Sequence, residues 1–273
     1  MIIETSSEVK MPPIISMRNS TKKLLNVEEI HETFAGGQKY VFIATCNKKK
    51  CAIKMFKYGF GVREKRELDF YIANKNLVGI PKVLDVKNEK GETIVVEEYI
   101  EGDCLQNITG KYNGSATDTS KLICDIADIM EPIWDKGKTH RDLKPLNIII
   151  TPKDLPVVLD FGIFKDPDLP TITDTGVQPH SWQFAAPEQI LGNKKHISYR
   201  TDFFSLGVLA YFLYYQKLPF GAKRDDVITK MIAQDMSYST ETDCELNNFF
   251  KVIFKFDVSK RPRNVKIFKE ALC

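Results

Sequence analysis

The chain has 273 residues, 43% of them hydrophobic and 27% charged. That balance suits a soluble globular protein and excludes disorder as the default state. The net charge of +3 is too small for a protein that coats nucleic acid or for a polybasic membrane binder. The six cysteines form no C-x-x-C pair and no metal-ligand spacing with the four histidines, and Met1-Ile2-Ile3-Glu4 lacks the apolar stretch of a signal peptide. Reduced thiols and an intracellular setting, cytoplasm or nucleus, are therefore expected. The longest apolar stretch, Phe203 to Tyr215, falls short of the ~20 residues a bilayer needs and reads as a buried core helix.

In chain order, residues 1–27 read as an N-terminal extension in which Pro12-Pro13 breaks any regular element. From Glu28 to Tyr99 the pattern is mostly strand-like. Val41 to Ala44 and Cys51 to Phe56 are β-type runs joined by a polar, Lys-rich turn, which predicts a hairpin. A helix is expected over about Val62 to Asn76, with Leu68, Tyr71 and Ile72 at helical spacing. Thr93 to Val96 reads as another strand. From Thr119 onward the signal turns helical, with Leu122, Ile123, Ile126, Ile129, Met130 and Ile133 on one face. Further helices are expected over about Thr201–Tyr215, Val227–Gln234 and Glu245–Phe254, with a short one after Pro262. Strands first and helices after predict an α+β protein of two unlike lobes with a cleft between them.

The densest chemistry lies in His140-Arg141-Asp142-Leu143-Lys144-Pro145-Leu146-Asn147, followed by the strand-like Ile148 to Ile150, then Asp160-Phe161-Gly162 and Ala186-Pro187-Glu188. Transfer of a phosphoryl group from ATP needs a divalent metal, and Mg2+ takes oxygen ligands from a few carboxylates or amides plus phosphate and water. Asp160 and Asn147 are a suitable pair, with Mn2+ as a substitute metal. A carboxylate must receive or orient the proton of the attacking hydroxyl, and Asp142 stands in the same loop. Lys144 can hold positive charge against the phosphoryl group in transit.

These segments resemble the catalytic loop, metal-binding triplet and activation-segment end of eukaryotic protein kinases, and their order and spacing make the likeness specific. The resemblance covers Glu28 to Leu272, nearly the whole chain, as a bilobal fold: an N-lobe over about 28–97, a hinge at 98–103 and a C-lobe over about 104–272. It implies that Lys54, in Ala52-Ile53-Lys54, contacts the α/β-phosphates and that a helix glutamate pairs with it. Glu67 is favoured over Glu64 because Phe70 and Tyr71 follow it at i+3 and i+4. It implies that Phe34, Gly36, Gly37, Val41 and Ala52 line the nucleotide. Backbone groups of Glu98 and Ile100 would pair with adenine, and Asp103 would accept from the ribose or else open a helix as a surface acid. In the C-lobe, Asp202 would anchor the catalytic-loop backbone, and Arg261 would ion-pair with Glu188.

The family form of the phosphate-covering loop is G-x-G-x-x-G-x-V, whereas this chain reads Phe34-Ala35-Gly36-Gly37-Gln38-Lys39-Tyr40-Val41. Only Gly36 keeps a family glycine position, and glycine is what lets backbone amides approach phosphates closely. Lys39 either compensates with its charge or is solvated. Glu97 falls where kinases usually place an apolar residue behind the adenine, and a half-buried carboxylate there needs a partner, a water or a lysine. Lys144-Pro145 is the arrangement of serine/threonine kinases. Leu146 and Phe212 stand where arginine-reading members carry acids. Thr171, Thr173 and Thr175 are either phosphorylation sites for pairing with Arg141 or ordinary loop hydroxyls, and Ser181 is a weak match to a hydroxyl that touches the catalytic loop. The compact domain with its worn loop is similar to the baculovirus late kinases, which act on basic viral core proteins. The expected partners are ATP and a protein substrate, with no nucleic acid and no membrane. The alternative is a pseudokinase scaffold that binds nucleotide without efficient transfer, and a small-molecule kinase of the aminoglycoside type ranks last.

Overall fold

The computed structural model describes residues 16–35, 39–56, 65, 68–69, 72–74, 76–160, 182–240 and 244–272. An upper lobe carries a five-stranded sheet and a lower lobe is mostly helical, the bilobal α+β architecture that the sequence predicts. The sheet is antiparallel, in the order β1-β2-β3-β5-β4. Its strands are β1 (Val27–Ala35), β2 (Lys39–Cys46), β3 (Lys49–Phe56), β4 (Val83–Glu89) and β5 (Glu92–Glu98). The β2–β3 connection is the expected tight turn: Asn47 and Lys48 both take positive φ, 50° and 64°, the twist that suits a two-residue hairpin. Lys65, Leu68, Asp69, Ile72 and Ala73 are helical, inside the span expected for a helix.

Strand alternation sorts this sheet into two faces. Phe42, Ala44, Cys46, Cys51, Ile53, Ile94 and Val96 form the buried outer face. The opposite face carries Val41, Ile43, Ala52, Lys54, Val95 and Glu97, because Val41 pairs with Lys54, Ile43 and Glu97 with Ala52, and Val95 with Lys54. The outer face is covered by chain expected to be an extension. Residues 16–25 include the short helix α1 (Asn19–Leu24), and Met17 and Leu25 join the apolar cluster. Arg18 pairs with Glu92 at 2.7 Å, and the buried Thr21 hydroxyl donates to Glu89. A one-sided sheet must bury its apolar face against something, and this segment supplies the cover. The five described cysteines carry free thiols. Cys46 and Cys51 approach to 2.9 Å in this core, where burial, together with the Cys46 thiol, pushes Cys51 up to about 12.

The lower lobe is built on α2 (Ala116–Trp134) and α4 (Tyr199–Tyr215), with α3 (Pro187–Ile190), α5 (Arg224–Ile232), α6 (Asn247–Ile253) and α7 (Val265–Glu270) around them. A small sheet, β6 (Asp103–Cys104), β7 (Ile148–Ile150) and β8 (Pro156–Val158), faces the cleft in the order β6-β7-β8. Of the predicted stripe on α2, Leu122, Ile123, Ile126, Met130 and Ile133 are buried and Ile129 packs partly against the core. Helix α4 is buried from Thr201 through Tyr211, as a helix apolar all round must be. Ser198 begins it by accepting from Arg200 N–H, while its own N–H donates to the Thr201 hydroxyl. Gln216 ends it at φ 52°. No helix among the described residues is long and apolar enough to cross a membrane.

Two features lock this lobe. Glu188 and Arg261 form the bidentate pair that the resemblance implies, at 2.8 Å for each arm, with side chains 3% and 0% exposed. Arg261 also donates to the carbonyls of Lys255, Arg200 and Phe256 and lies 4.8 Å from the Phe204 ring centre. Gly102, within the hinge, has φ 147°, and a Cβ there would lie 2.2 Å from the Ile150 carbonyl oxygen. Replacing Glu188 by Ala strands a buried guanidinium and is expected to cost about 3–5 kcal/mol, read as a lower urea midpoint. Gly102→Ala forces β6 away from β7 and should lower the melting temperature, whereas Gly91→Ala, also at positive φ (81°) but in open space, should lower it less.

Candidate active site

The floor of the cleft is fixed from below. Asp202, in the first turn of α4, accepts from Trp134 Nε1 at 2.8 Å, from His140 N–H at 2.7 Å and from Arg141 N–H at 2.8 Å. Burial pushes the Asp202 carboxyl up to about 6, against these three donors, which pull it down. His140 then links the loop to the chain just after β8. Its Nδ1 accepts from Asp142 N–H at 3.2 Å, and its Nε2 lies 3.0 Å from the Leu159 carbonyl oxygen. A carbonyl only accepts, so the proton sits on Nε2. Arg141 takes φ 66°, a left-handed conformation that costs a β-carbon residue energy unless its surroundings hold it. Its carbonyl accepts from Gln189 Nε2 at 2.9 Å, and Gln189 Oε1 accepts from Ala186 N–H at 3.1 Å. The residues after Ala186-Pro187-Glu188 are thereby tied to the loop.

With the loop pinned, its side chains converge. Asp142 Oδ2 accepts from Lys144 Nζ at 2.9 Å and from Asn147 Nδ2 at 3.1 Å, and the Asp142 carbonyl accepts from Asn147 Nδ2 at 2.8 Å. Leu159 N–H donates to the Asn147 carbonyl at 2.8 Å, so Asp160 leaves β8 one residue from that bond. Asp160 itself takes φ 52°, which turns the chain at the cleft.

The roof reaches down to meet this floor. Lys54 Nζ lies 2.8 Å from Asp160 Oδ1 and 2.6 Å from Glu97 Oε2. Lys39 Nζ lies 2.5 Å from the same Asp160 oxygen. Although burial raises the Asp160 pKa, the Lys39 and Lys54 ammoniums overcome it and hold the carboxyl far below the usual range. Glu97 is more deeply buried than expected, with its side chain 5% exposed, and its partner is the lysine alternative of the sequence reading. Lys39 is the other residue whose place sequence alone left open. The signal that could have found both was period-two alternation: Lys39, Val41, Lys54 and Glu97 share one face of a sheet whose register the hairpin sets.

The remaining candidates fall around this centre. Val41 and Ala52 are half-buried on the cleft face, and Phe34 is half exposed opposite Val41. Glu98 N–H donates to the Lys82 carbonyl at 2.9 Å, and its carboxylate accepts from Lys82 N–H at 3.0 Å, steadying the start of the hinge before Ile100. Asp103 is exposed in β6, paired with Ile150, and does not open a helix. Gly36, Gly37, Glu64, Glu67, Phe161, Gly162, the three threonines at 171, 173 and 175, and Ser181 lie outside the described residues.

For a divalent cation the donor set fits. One carboxylate and one amide oxygen suit Mg2+, a metal held by one or two protein oxygens plus phosphate. Asn147 commits its amide nitrogen to Asp142, which leaves Oδ1 as the atom that would face a metal, and Asp160 already draws two cations. The protein kinase domain family matches residues 35–272. The chain belongs to that family. Relatives of this kinase domain include a probable serine/threonine-protein kinase of Clostridium acetobutylicum, 33% identical over 251 residues, covering 85% of this chain and 36% of the relative. Another, from Clostridium perfringens, is 33% identical over 193 residues, covering 68% of this chain and 28% of the relative. The serine/threonine-protein kinase PknA of Mycobacterium tuberculosis is 32% identical over 200 residues, covering 68% and 46%. The kinase domain thus spans less than half the length of each of these relatives.

A double-mutant cycle on Lys54→Met and Glu97→Gln should give a coupling energy of about 0.5–3 kcal/mol in thermal or denaturant unfolding. Additive effects would mean that the pair contributes nothing as a pair.

Proposed function

We propose that this domain transfers the γ-phosphoryl group of ATP to serine or threonine hydroxyls of a protein substrate. The observation that carries the reading is the convergence on one cleft of Lys54 from β3, Asp160 from the end of β8 and an Asp142 carboxylate held by Lys144 and Asn147. Family membership and serine/threonine kinase relatives support it.

In this mechanism Lys54, fixed by Glu97, clamps the α/β-phosphates. Asn147 Oδ1 and Asp160 would hold Mg2+, which when bound would supply charge neutralisation on the phosphate oxygens. Asp142 orients the substrate hydroxyl and takes its proton. Its own orientation comes from Asn147 and Lys144, and Lys144 Nζ also faces the phosphoryl group as negative charge spreads over its oxygens. Glu98 and Ile100 receive the adenine on the hinge backbone. Phe34, Val41 and Ala52 cover it, and Asp103 stands at the ribose edge. Glu67 remains the sequence-based candidate for a second carboxylate on Lys54. Lys144-Pro145 supports serine/threonine over tyrosine acceptors, and the free thiols support an intracellular setting.

The expected viral origin and basic core-protein substrate draw no support from relatives that are bacterial, and neither is part of the proposal. The second reading, nucleotide binding without transfer, is favoured by one observation: Lys39 stands where the family has a loop glycine and sits on the Asp160 oxygen. Incubation with radiolabelled ATP, Mg2+ and a generic protein substrate separates the two. Wild type should incorporate phosphate on serine and threonine, and Asp142→Ala should fall by on the order of 10²–10⁴-fold. Equally low incorporation by both would reject the enzyme reading.

A further inference from the structure

The Lys39 side chain is one-fifth exposed, and its ammonium lies 2.5 Å from Asp160 Oδ1, the oxygen that Lys54 reaches at 2.8 Å. Two cations and two carboxylates therefore alternate along Lys39, Asp160, Lys54 and Glu97, and their charges balance. That balance ends when a divalent cation takes Asp160, because its added positive charge competes with both ammoniums for the one carboxylate. Lys54 keeps Glu97. Lys39 needs a new anion, since a partly buried cation without one is unfavourable, and the anion that arrives with such a metal is phosphate.

The strand geometry puts Lys39 in reach of it. Lys39 stands two residues before Val41, which pairs with Lys54, so the two lysines lie on one face, offset by about 6.8 Å along neighbouring strands. They reach into the cleft from adjacent points and can bracket different phosphate oxygens. We propose that Lys39 is a second phosphate-binding cation of the nucleotide site, supplying by charge what loop glycines supply through backbone amides. The proposal rests on the ATP reading above.

The experiment measures the affinity of the full chain for ATP and for adenosine, with Mg2+ present, by isothermal titration calorimetry. Wild type is compared with Lys39→Met and Lys39→Arg. In Lys39→Met the ATP affinity should fall on the order of tenfold, the size of one charge-assisted hydrogen bond. Adenosine affinity should stay within about twofold, because the side chain acts on phosphate alone. Lys39→Arg should recover most of the ATP affinity. Unchanged or tighter ATP binding by Lys39→Met would overturn the proposal and mark Lys39 as a plug on Asp160. An equal loss of adenosine and ATP would overturn it too, since the effect would then be on the cleft as a whole. Wild type that binds adenosine but gains nothing from the phosphates defeats the proposal and leaves a nucleoside site. Wild type that binds neither defeats the ATP reading itself.

Discussion

A buried carboxylate in the first turn of a buried helix holds the active-site floor in place. Asp202 is fully enclosed and so must be satisfied, and it takes its three hydrogen bonds from Trp134 on α2 and from two successive backbone N–H groups of the catalytic loop. A carboxylate near a helix N-terminus is favoured by the helix dipole, and here that favourable place also dictates the path of a loop. With His140 and Arg141 pinned, Arg141 is held in its left-handed conformation and Asp142, Lys144 and Asn147 emerge on one side. The geometry of the loop is thus set by a residue about sixty positions away.

The roof obeys a different rule. Its side chains are selected by the pleat: every second residue of β2, β3 and β5 faces the cleft. That places Lys54 between Glu97 on its own sheet and Asp160 across the cleft. The same pleat sends Phe42, Ala44, Ile53, Ile94 and Val96 upward, where Met17 and Leu25 cover them. Residues 16–25 therefore stabilise the sheet on one side while the ion pairs order it on the other. Anchoring Lys54 within the sheet itself, on Glu97, gives it a fixed partner whose position depends only on strand register.

Below the site, the Glu188–Arg261 pair joins the end of the activation segment to the loop before α7, and Gln189 joins it to the Arg141 carbonyl. The donors of Arg261 are taken up by the carboxylate and by three backbone carbonyls, which is the condition under which a buried charge is tolerated. Gly79 completes the link between lobes, because its carbonyl accepts from Val158 N–H at 2.8 Å. Asp160 lies two residues beyond that strand, so its carboxylate is positioned by both lobes.

The two-lobe α+β plan, the β2–β3 hairpin, the apolar stripe of α2 and the burial of α4 were legible in the residues, because each follows from local periodicity or turn chemistry. The motifs that carry Lys54, Asp142, Lys144, Asn147 and Asp160 were legible too, since short motifs keep their spacing, and the fold brings Lys54 beside Asp160 and Asp142 beside Lys144 and Asn147. The cover of the sheet by residues 16–25 was not, because a six-residue helix has too few turns to show a period and its role exists only against the sheet it caps. Nor were the partners of Glu97 and Lys39. A lysine and a carboxylate far apart in sequence carry no local sign of each other. Only strand register and the closing of one lobe over the other bring them within bonding distance, and the energy of a buried charge depends on what those long-range contacts place beside it.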